Sequence, residues 1–195
     1  MATKKKPQKQ KQASRTRASG TRANGAARRR RAAAPPPAHV GIDESARRRI
    51  NSTLAAALAD QHVLYQKTRL CHWNLVGSRF DPLHAMFEAQ YEALAEAIDG
   101  TAERIRMLDG IAPGSLRELC DAARLPEIDG ELIDGNGALT LLLADHEAMV
   151  VSLRDSVAQC EDLDDVGTAD FLTGLLRAHE KTAWMLRSHL AAGAA

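Results

Sequence analysis

The sequence predicts an all-α protein in which a four-helix bundle over residues 43–195 follows a disordered basic tail over residues 1–42. Apolar residues recur every three or four positions in four long segments, which is the spacing of one helix face. No segment shows the alternation of apolar and polar residues that is typical of a half-buried strand. The tail has almost no large apolar side chains, so it cannot bury enough surface to offset the entropy of ordering it.

The first two predicted helices form a hairpin. The first begins after Asp43, a residue type favoured at a helix N-cap, and its apolar pattern stops near residues 74–77. The second follows the turn GSRFDP, with Asp81 as its cap and Pro82 in its first position, and it continues to Gly110. Because the turn is short, we expect the two helices to pack antiparallel.

The third and fourth predicted helices form a second hairpin. The third covers residues 136–160, and the fourth begins at Thr168, which we expect to act as its cap. Residues 109–135 are long enough to travel the length of the bundle between the hairpins, and residues 115–123 predict a short helix on the way. Two short hairpins joined by one long crossover are the ferritin-like connectivity.

Charge divides the chain into a basic tail and an acidic body. The tail holds twelve of the 26 basic residues and none of the 25 acidic ones. A flexible cationic segment predicts non-specific, salt-sensitive binding to double-stranded DNA, and its lack of aromatic residues argues against base stacking. A solubilising or targeting tail remains an alternative. The twelve cations are Lys4, Lys5, Lys6, Lys9, Lys11, Arg15, Arg17, Arg22, Arg28, Arg29, Arg30 and Arg31.

Other features predict a cytoplasmic, nucleoid-associated protein. No stretch of about eighteen apolar residues exists, so no membrane span is expected. The N-terminus lacks the apolar run of a secretory signal, although its lack of acids leaves a transit peptide open. Three widely spaced cysteines, Cys71, Cys120 and Cys160, fit buried thiols in a reducing compartment better than a disulfide framework.

The stretch CHWNLVGSRFDPLHAMFE, residues 71–88, supplies ligand types for a metal ion. His84 and Glu88 are four residues apart and share one helix face, as do Asp99 and Glu103. At about 1.5 Å per residue, His84 and Asp99 are about 22 Å apart along a straight helix, so they cannot meet within one chain. They meet if a second copy of this helix packs antiparallel, which creates two equivalent sites.

Each shared site would combine imidazole from one chain with carboxylate from its twin. The helices would cross near residues 92–95, where Ala95 permits close approach, and His72 on the first helix could complete the imidazole set. Mixed imidazole and carboxylate ligands suit iron(II) or manganese(II). Spacing alone leaves another interpretation open, because charged residues beside an apolar stripe usually form a solvated shoulder and a histidine beside a tryptophan is usually packed.

The run LCHWNLVGSRFDPLHAMFEAQYEALAEAIDGTAERIRMLDGIAPGS strongly resembles the Dps proteins, DNA-protecting members of the ferritin superfamily, and the similarity extends over about residues 44–192. The resemblance implies a hollow dodecamer that oxidises iron(II), preferentially with hydrogen peroxide, and stores the ferric mineral. It implies a ferroxidase centre between two-fold related subunits. The implied catalytic and metal-binding residues are His72, His84 and Glu88 of one subunit and Asp99 and Glu103 of the other. Aspartate is frequent in the family at the position of Glu88, a departure that bears on binding affinity.

The resemblance also implies roles for three further residues. Asp170 and Glu180 match positions that line pores through which iron enters, where carboxylates draw cations inward. Asp170 could instead stabilise a helix terminus, since it follows Thr168 closely. Trp73 could intercept stray radicals or be an ordinary core aromatic. His62, His179 and His189 we expect to be packing or surface residues, and His146-Glu147 is not a zinc motif because position 150 is Val.

The leading hypothesis is therefore an iron-oxidising, iron-storing homo-oligomer, a dodecamer that also coats DNA. A second hypothesis is a nucleoid-architectural protein whose bundle serves only to multimerise the tails. A third is a manganese or other di-metal carboxylate oxidase without storage. Those enzymes use Glu-x-x-His pairs on two helices, whereas here His84 precedes Glu88 at a spacing of four.

Overall fold

The computed structural model describes residue 33 and residues 36–191, so the twelve predicted DNA-binding cations lie outside the described residues. The elements are α1 (Glu44–Asn74), β1 (Leu75–Val76), α2 (Phe80–Met107), α3 (Leu116–Ala122), β2 (Ile133–Asp134), α4 (Gly135–Glu161) and α5 (Val166–Ala191). The predicted four-helix bundle with a short helix on its crossover is confirmed. Within the described range, no helix is long and apolar enough to cross a membrane.

The predicted cap of α1 is confirmed, whereas the predicted caps of α2 and α5 are wrong. The Asp43 side chain accepts from two backbone N–H groups, at 2.7 and 3.0 Å. Helix α2 begins before Asp81 and has no side-chain cap, which leaves Pro82 within its first turn. At α5 the capping carboxylate belongs to Asp165, which accepts from the backbone N–H of Thr168 at 2.9 Å. Thr168 therefore lies inside the helix, because an earlier acid already satisfies its first turn.

The two-residue strands β1 and β2 pair in parallel, with Leu75 opposite Ile133 and Val76 opposite Asp134. Strands this short have no periodicity to detect, which is why the sequence did not predict them. The pair ties the end of α1 to the end of the crossover, immediately before α4 begins.

Every long helix contributes fully buried apolar side chains to one core. Ile50, Leu54, Phe87, Leu139 and Leu172 are each completely inaccessible to solvent. Helices α1 and α2 pack as one antiparallel hairpin and α4 and α5 as the other, as predicted. Burying the apolar stripe of each helix against the others supplies most of the stability of such a bundle.

Buried carboxylates fix the crossover and α4 against α1. Asp60, 1% exposed, accepts from the backbone N–H of Arg124 at 2.6 Å and of Leu125 at 3.0 Å. Lys67 and Asp145 form a buried ion pair at 2.8 Å between α1 and α4. Removing one partner of such a pair leaves an uncompensated buried charge, so these contacts restrict how the helices can be arranged.

Residues just before α1 are fastened to the body of the bundle. The backbone N–H of Ala38 donates to the Asp109 carboxylate at 2.7 Å, and Arg47 donates to the Ala38 carbonyl at 3.0 Å. The bond from Ala38 is the main reason that the pKa of Asp109 is lowered. A truncation that removes the basic tail should therefore stop at residue 35 to keep this contact.

Candidate metal centre

His72 and His84 face each other across the α1–α2 hairpin. His72 lies in the last turn of α1 and His84 near the start of α2, so the tight turn between the helices brings them together. Their rings stack with centroids 3.6 Å apart and planes 17° apart. This pairing of two predicted ligands depends on the hairpin alone.

Each of the two rings is held by the backbone of the other. His72 Nδ1 lies 2.9 Å from the His84 carbonyl oxygen, and His84 Nδ1 lies 2.9 Å from the His72 carbonyl oxygen. A carbonyl oxygen only accepts, so each Nδ1 donates and the free lone pair of each ring falls on Nε2. Hydrogen bonding at the far nitrogen is how metal-binding histidines are usually oriented. Both imidazoles are thus in the tautomer that ligates a metal through Nε2.

Tyr91 contacts both an imidazole and a carboxylate of the predicted ligand set. Its hydroxyl donates to Glu88 Oε1 at 3.1 Å, and its ring meets His72 edge-on with centroids 5.3 Å apart. Desolvation, followed by the hydrogen bond to Glu88, raises the pKa of the Tyr91 phenol, so it remains a donor. The only signal in the sequence for a functional role of Tyr91 is its position three residues after Glu88, on the same helix face.

Asp99 and Glu103 are not brought to the histidines within one chain. Both are exposed on α2, one turn apart. The helix separates Asp99 from His84 by about 22 Å at about 1.5 Å per residue. Among the residues that the structure describes, no three His, Cys, Asp or Glu side chains lie close enough together to hold a metal ion.

A cation enclosed by aromatic rings borders the histidine pair. The Arg69 guanidinium carbon lies 4.6 Å from the Trp73 ring centroid, 5.4 Å from that of Tyr65 and 5.6 Å from that of Tyr91. Trp73 is 59% exposed, so it is not a core aromatic within one chain. Residues 65, 69 and 73 recur every four positions on one face of α1, a spacing that could have predicted this cluster.

The fold and sequence have clear relatives. The family model for a ferritin-like domain matches residues 51–194. The chain is 33% identical to DNA protection during starvation protein 2 of Bacillus anthracis over 144 residues, which cover 73% of this chain and 97% of that protein. The chain belongs to the Dps family of ferritin-like proteins. The resemblance to the Dps proteins, which is carried by residues 70–115, is thereby confirmed.

Two further comparisons agree with membership of the Dps family. A Dps protein of Vibrio cholerae O1, described as a member of a broad superfamily of ferritin-like diiron-carboxylate proteins, has a TM-score of 0.76 and 31% identity. That match covers 82% of this chain and 99% of the other. An uncharacterized low temperature-induced protein of Nostoc is 41% identical over 78% of this chain and 86% of its own length.

The two acids assigned to a pore lie on α5 of this Dps protein. Asp170 is exposed and lies beyond the first turn, since Asp165 is the cap. Its alternative interpretation as a residue of the helix terminus is weakened by that shift. Glu180 forms an ion pair with Arg154 of α4. The pore assignment of both residues stays a prediction.

Proposed function

We propose that this Dps protein oxidises its substrate iron(II) at centres shared by two subunits, stores the ferric product inside a homo-oligomeric shell of twelve chains, and binds double-stranded DNA through its basic tail. The observation that best supports the proposal is the reciprocal fixation of His72 and His84, in which both Nδ1 atoms are hydrogen-bonded and both Nε2 lone pairs are left free to ligate. Packing alone does not require both imidazoles to be held in the same ligating tautomer.

The remaining ligands would come from a second copy of α2. An antiparallel pair of α2 helices that crosses near residues 92–95 would bring Asp99 and Glu103 of one chain to the imidazoles and Glu88 of the other. Such an isologous contact makes both sites at once. Ala95 is exposed on the described chain, and its small side chain allows the two helices to approach closely.

The ligand chemistry fits iron as the substrate. Carboxylates bind the hard ferric product and offset its charge, whereas the imidazoles retain affinity for the ferrous substrate. Two ferrous ions together give hydrogen peroxide two electrons, and with two protons the products are two water molecules and two ferric ions. Delivering both electrons at one place avoids the one-electron route to hydroxyl radical. The chain would contribute ligands in fixed positions, carboxylates that offset the charge of the metal ions, and room for two ions side by side.

Replacing the acids of the partner half tests the shared centre. We expect Asp99→Asn together with Glu103→Gln to lower the rate of peroxide-driven ferrous oxidation by at least about tenfold, the scale of losing one good ligand interaction, while the assembled mass is unchanged. The matched control replaces two exposed acids of α4, Asp155→Asn with Glu161→Gln. An unchanged oxidation rate in the first variant, with normal assembly, would refute the centre.

The DNA-binding part of the proposal depends on the charge of the tail. Twelve cations in the first 42 residues, with no acid among them, contrast with an acidic remainder of the chain. Binding should weaken steeply with salt because each neutralised phosphate releases counterions. Deleting residues 1–35 should abolish DNA retardation and leave ferrous oxidation intact. A wild type that retards DNA but does not oxidise iron(II) would favour the architectural alternative, in which the bundle serves only to multimerise the tails.

A further inference from the structure

A second pair of histidines lies between α4 and α5. His146 and His179 are 3% and 4% exposed, and their Nδ1 atoms are 2.9 Å apart. Their rings are tilted by 48° with centroids 5.0 Å apart, so they meet edge to edge and do not stack as His72 and His84 do. A hydrogen bond between two imidazoles needs one donor and one acceptor, which requires that at least one ring be neutral.

Both imidazoles of this second pair are neutral at cellular pH. Burial lowers the pKa of His146 to about 3, with a contribution from His179, and lowers the pKa of His179 to about 4. A neutral imidazole is the form that ligates metal ions. The hydrogen bond between the two Nδ1 atoms requires a neutral ring as well.

One nitrogen of the pair has no partner. His146 Nε2 is buried and accepts or donates no hydrogen bond within the protein. Buried N–H groups without a partner are rarer than buried acceptors without one. The favoured tautomer therefore has the proton of His146 on Nδ1, donated to Nδ1 of His179, and leaves a lone pair on His146 Nε2. This is the arrangement that orients a metal-binding histidine through its second nitrogen.

The two histidines line a groove of about 360 Å³ between α2 and α5. Two thioethers, those of Met86 and Met185, line the same groove. So does Gln90, whose side-chain oxygen is also buried without a partner. No carboxylate or thiol is among the lining residues, all of which are described, and their one charged side chain is the exposed Lys181.

We propose that this groove binds a cuprous ion, with His146 Nε2 and the thioethers of Met86 and Met185 as ligands and His179 as the positioning residue. Imidazole and thioether are ligands that copper(I) prefers. A set of neutral ligands with a cationic rim disfavours divalent ions, because the cost of burying a charge rises with its square and nothing here compensates it. Iron(II), whose double charge needs carboxylates to offset it, is directed instead to the face of α2 that carries both imidazole and carboxylates.

The geometry points to His146 Nε2 as the ligand, in preference to the two Nδ1 atoms. A linear nitrogen–metal–nitrogen unit places its nitrogens about 4 Å apart, at metal–nitrogen distances of about 2.0 Å. The Nδ1 atoms are 2.9 Å apart and already share a hydrogen bond. Copper at Nε2 therefore keeps that bond, and His179 acts by fixing the tautomer of His146.

An anaerobic competition titration tests the site on the full-length, assembled protein. Copper(I) is added against a chromophoric cuprous chelator, and the copper taken from the chelator is counted per chain. We expect the wild type to take one copper ion per chain from the chelator. We expect His146→Gln to bind copper at least about tenfold more weakly. His62→Gln is the matched control, because His62 is a half-buried histidine of α1 outside the groove and should leave the titration unchanged.

Two further variants separate ligation from packing. Met86→Leu with Met185→Leu keeps the volume of the groove and should also weaken copper binding at least tenfold, so the test survives if His146→Gln does not fold. His179→Gln should retain the ion with an affinity lowered by about 10- to 100-fold, the range for a residue that orients a ligand. X-ray absorption should show nitrogen and sulfur neighbours in the wild type, and no sulfur in the double methionine variant. A wild type that does not compete with the chelator, or unchanged affinity in the double methionine variant, would overturn the proposal.

Discussion

His72 and His84 each donate the Nδ1 proton to the backbone carbonyl of the other, across 2.9 Å in both directions. Neither ring can rotate without breaking its own bond, and displacement of either backbone releases the other ring. The two imidazoles therefore behave as one unit, and their orientation is independent of any second subunit.

Replacing either histidine should consequently remove one ligand and also loosen the other. In His84→Ala the main chain remains but the stacked ring that supports His72 is lost, so His72 gains rotational freedom. We expect at least a tenfold fall in the rate of ferrous oxidation, measured by stopped-flow absorbance. His189→Ala, at the end of α5, is the control that should match the wild type. Equal rates in His84→Ala and the control would rule out the histidine pair as ligands.

Removing the Tyr91 hydroxyl should affect iron binding more than stability. Tyr91→Phe keeps the edge contact with His72 and releases Glu88 from its hydrogen bond. A single hydrogen bond at an exposed position contributes little to folding, because water replaces it readily in the unfolded chain. We expect KM for iron(II) to rise several-fold with kcat little changed.

The control for Tyr91 is Tyr65→Phe, which removes a hydroxyl that accepts from Arg69 at 3.1 Å. This neighbour belongs to the same aromatic cluster but does not reach Glu88. If both variants raised KM equally, the effect would belong to the cluster as a whole, and the specific role of Tyr91 would be wrong.

The buried ion pair between α1 and α4 should show strong coupling. Lys67→Met alone should lower the free energy of unfolding by about 3–5 kcal/mol, because it leaves the Asp145 carboxylate buried without its partner. Lys67→Met with Asp145→Leu should recover much of that loss. The wild type, Lys67→Met, Asp145→Leu and the double variant form a double-mutant cycle. Urea unfolding of all four, at the same protein concentration, measures the coupling free energy between the two side chains. Additive losses would mean that the pair contributes through packing alone.

Stability should depend on pH through His146 and His179. Both pKa values lie below the ordinary 6.5 in the folded chain, at about 3 and about 4. As pH falls through 6.5 the unfolded chain binds these protons first, so stability is lost from pH 6.5 down to about 4 through His179 and down to about 3 through His146. In metal-free His179→Gln, we expect the slope of unfolding free energy against pH in this window to fall by up to about 1.4 kcal/mol per pH unit, one proton's worth. An identical slope in the wild type and the variant would contradict the assignment.

The long helices and the order of the hairpins were predictable. Each apolar stripe extends over many turns, so one residue that breaks the pattern does not change the prediction of a helix. The start of α1 was predictable from its Asp43 cap, but those of α2 and α5 were not, since Asp81 and Thr168 each lie within three residues of the position where the helix begins. The proximity of His72 and His84 followed from the hairpin. Their exchange of carbonyl contacts did not, because it depends on main-chain positions that no residue pattern encodes.

The second histidine pair illustrates the same limit. The sequence predicts a packing or surface role for His179, which is what an isolated histidine on a helix usually has, and at His146 it excludes only a zinc motif. Their contact joins two helices at a separation of 33 positions, and the register between α4 and α5 determines whether they meet. Periodicity reports which face of each helix is buried, but not which side chains meet across the interface.

The parallel pairing of β1 with β2 begins at Leu75, three residues beyond His72, and ends where α4 starts. The segment that joins α1 to α2 is therefore hydrogen-bonded to the end of the long crossover. Moving α1 and α2 apart at this turn would also disturb the pairing that holds the crossover in place. The two imidazoles are therefore already positioned in a single chain, so that in the proposed shared centre a second copy would have only to supply the carboxylates.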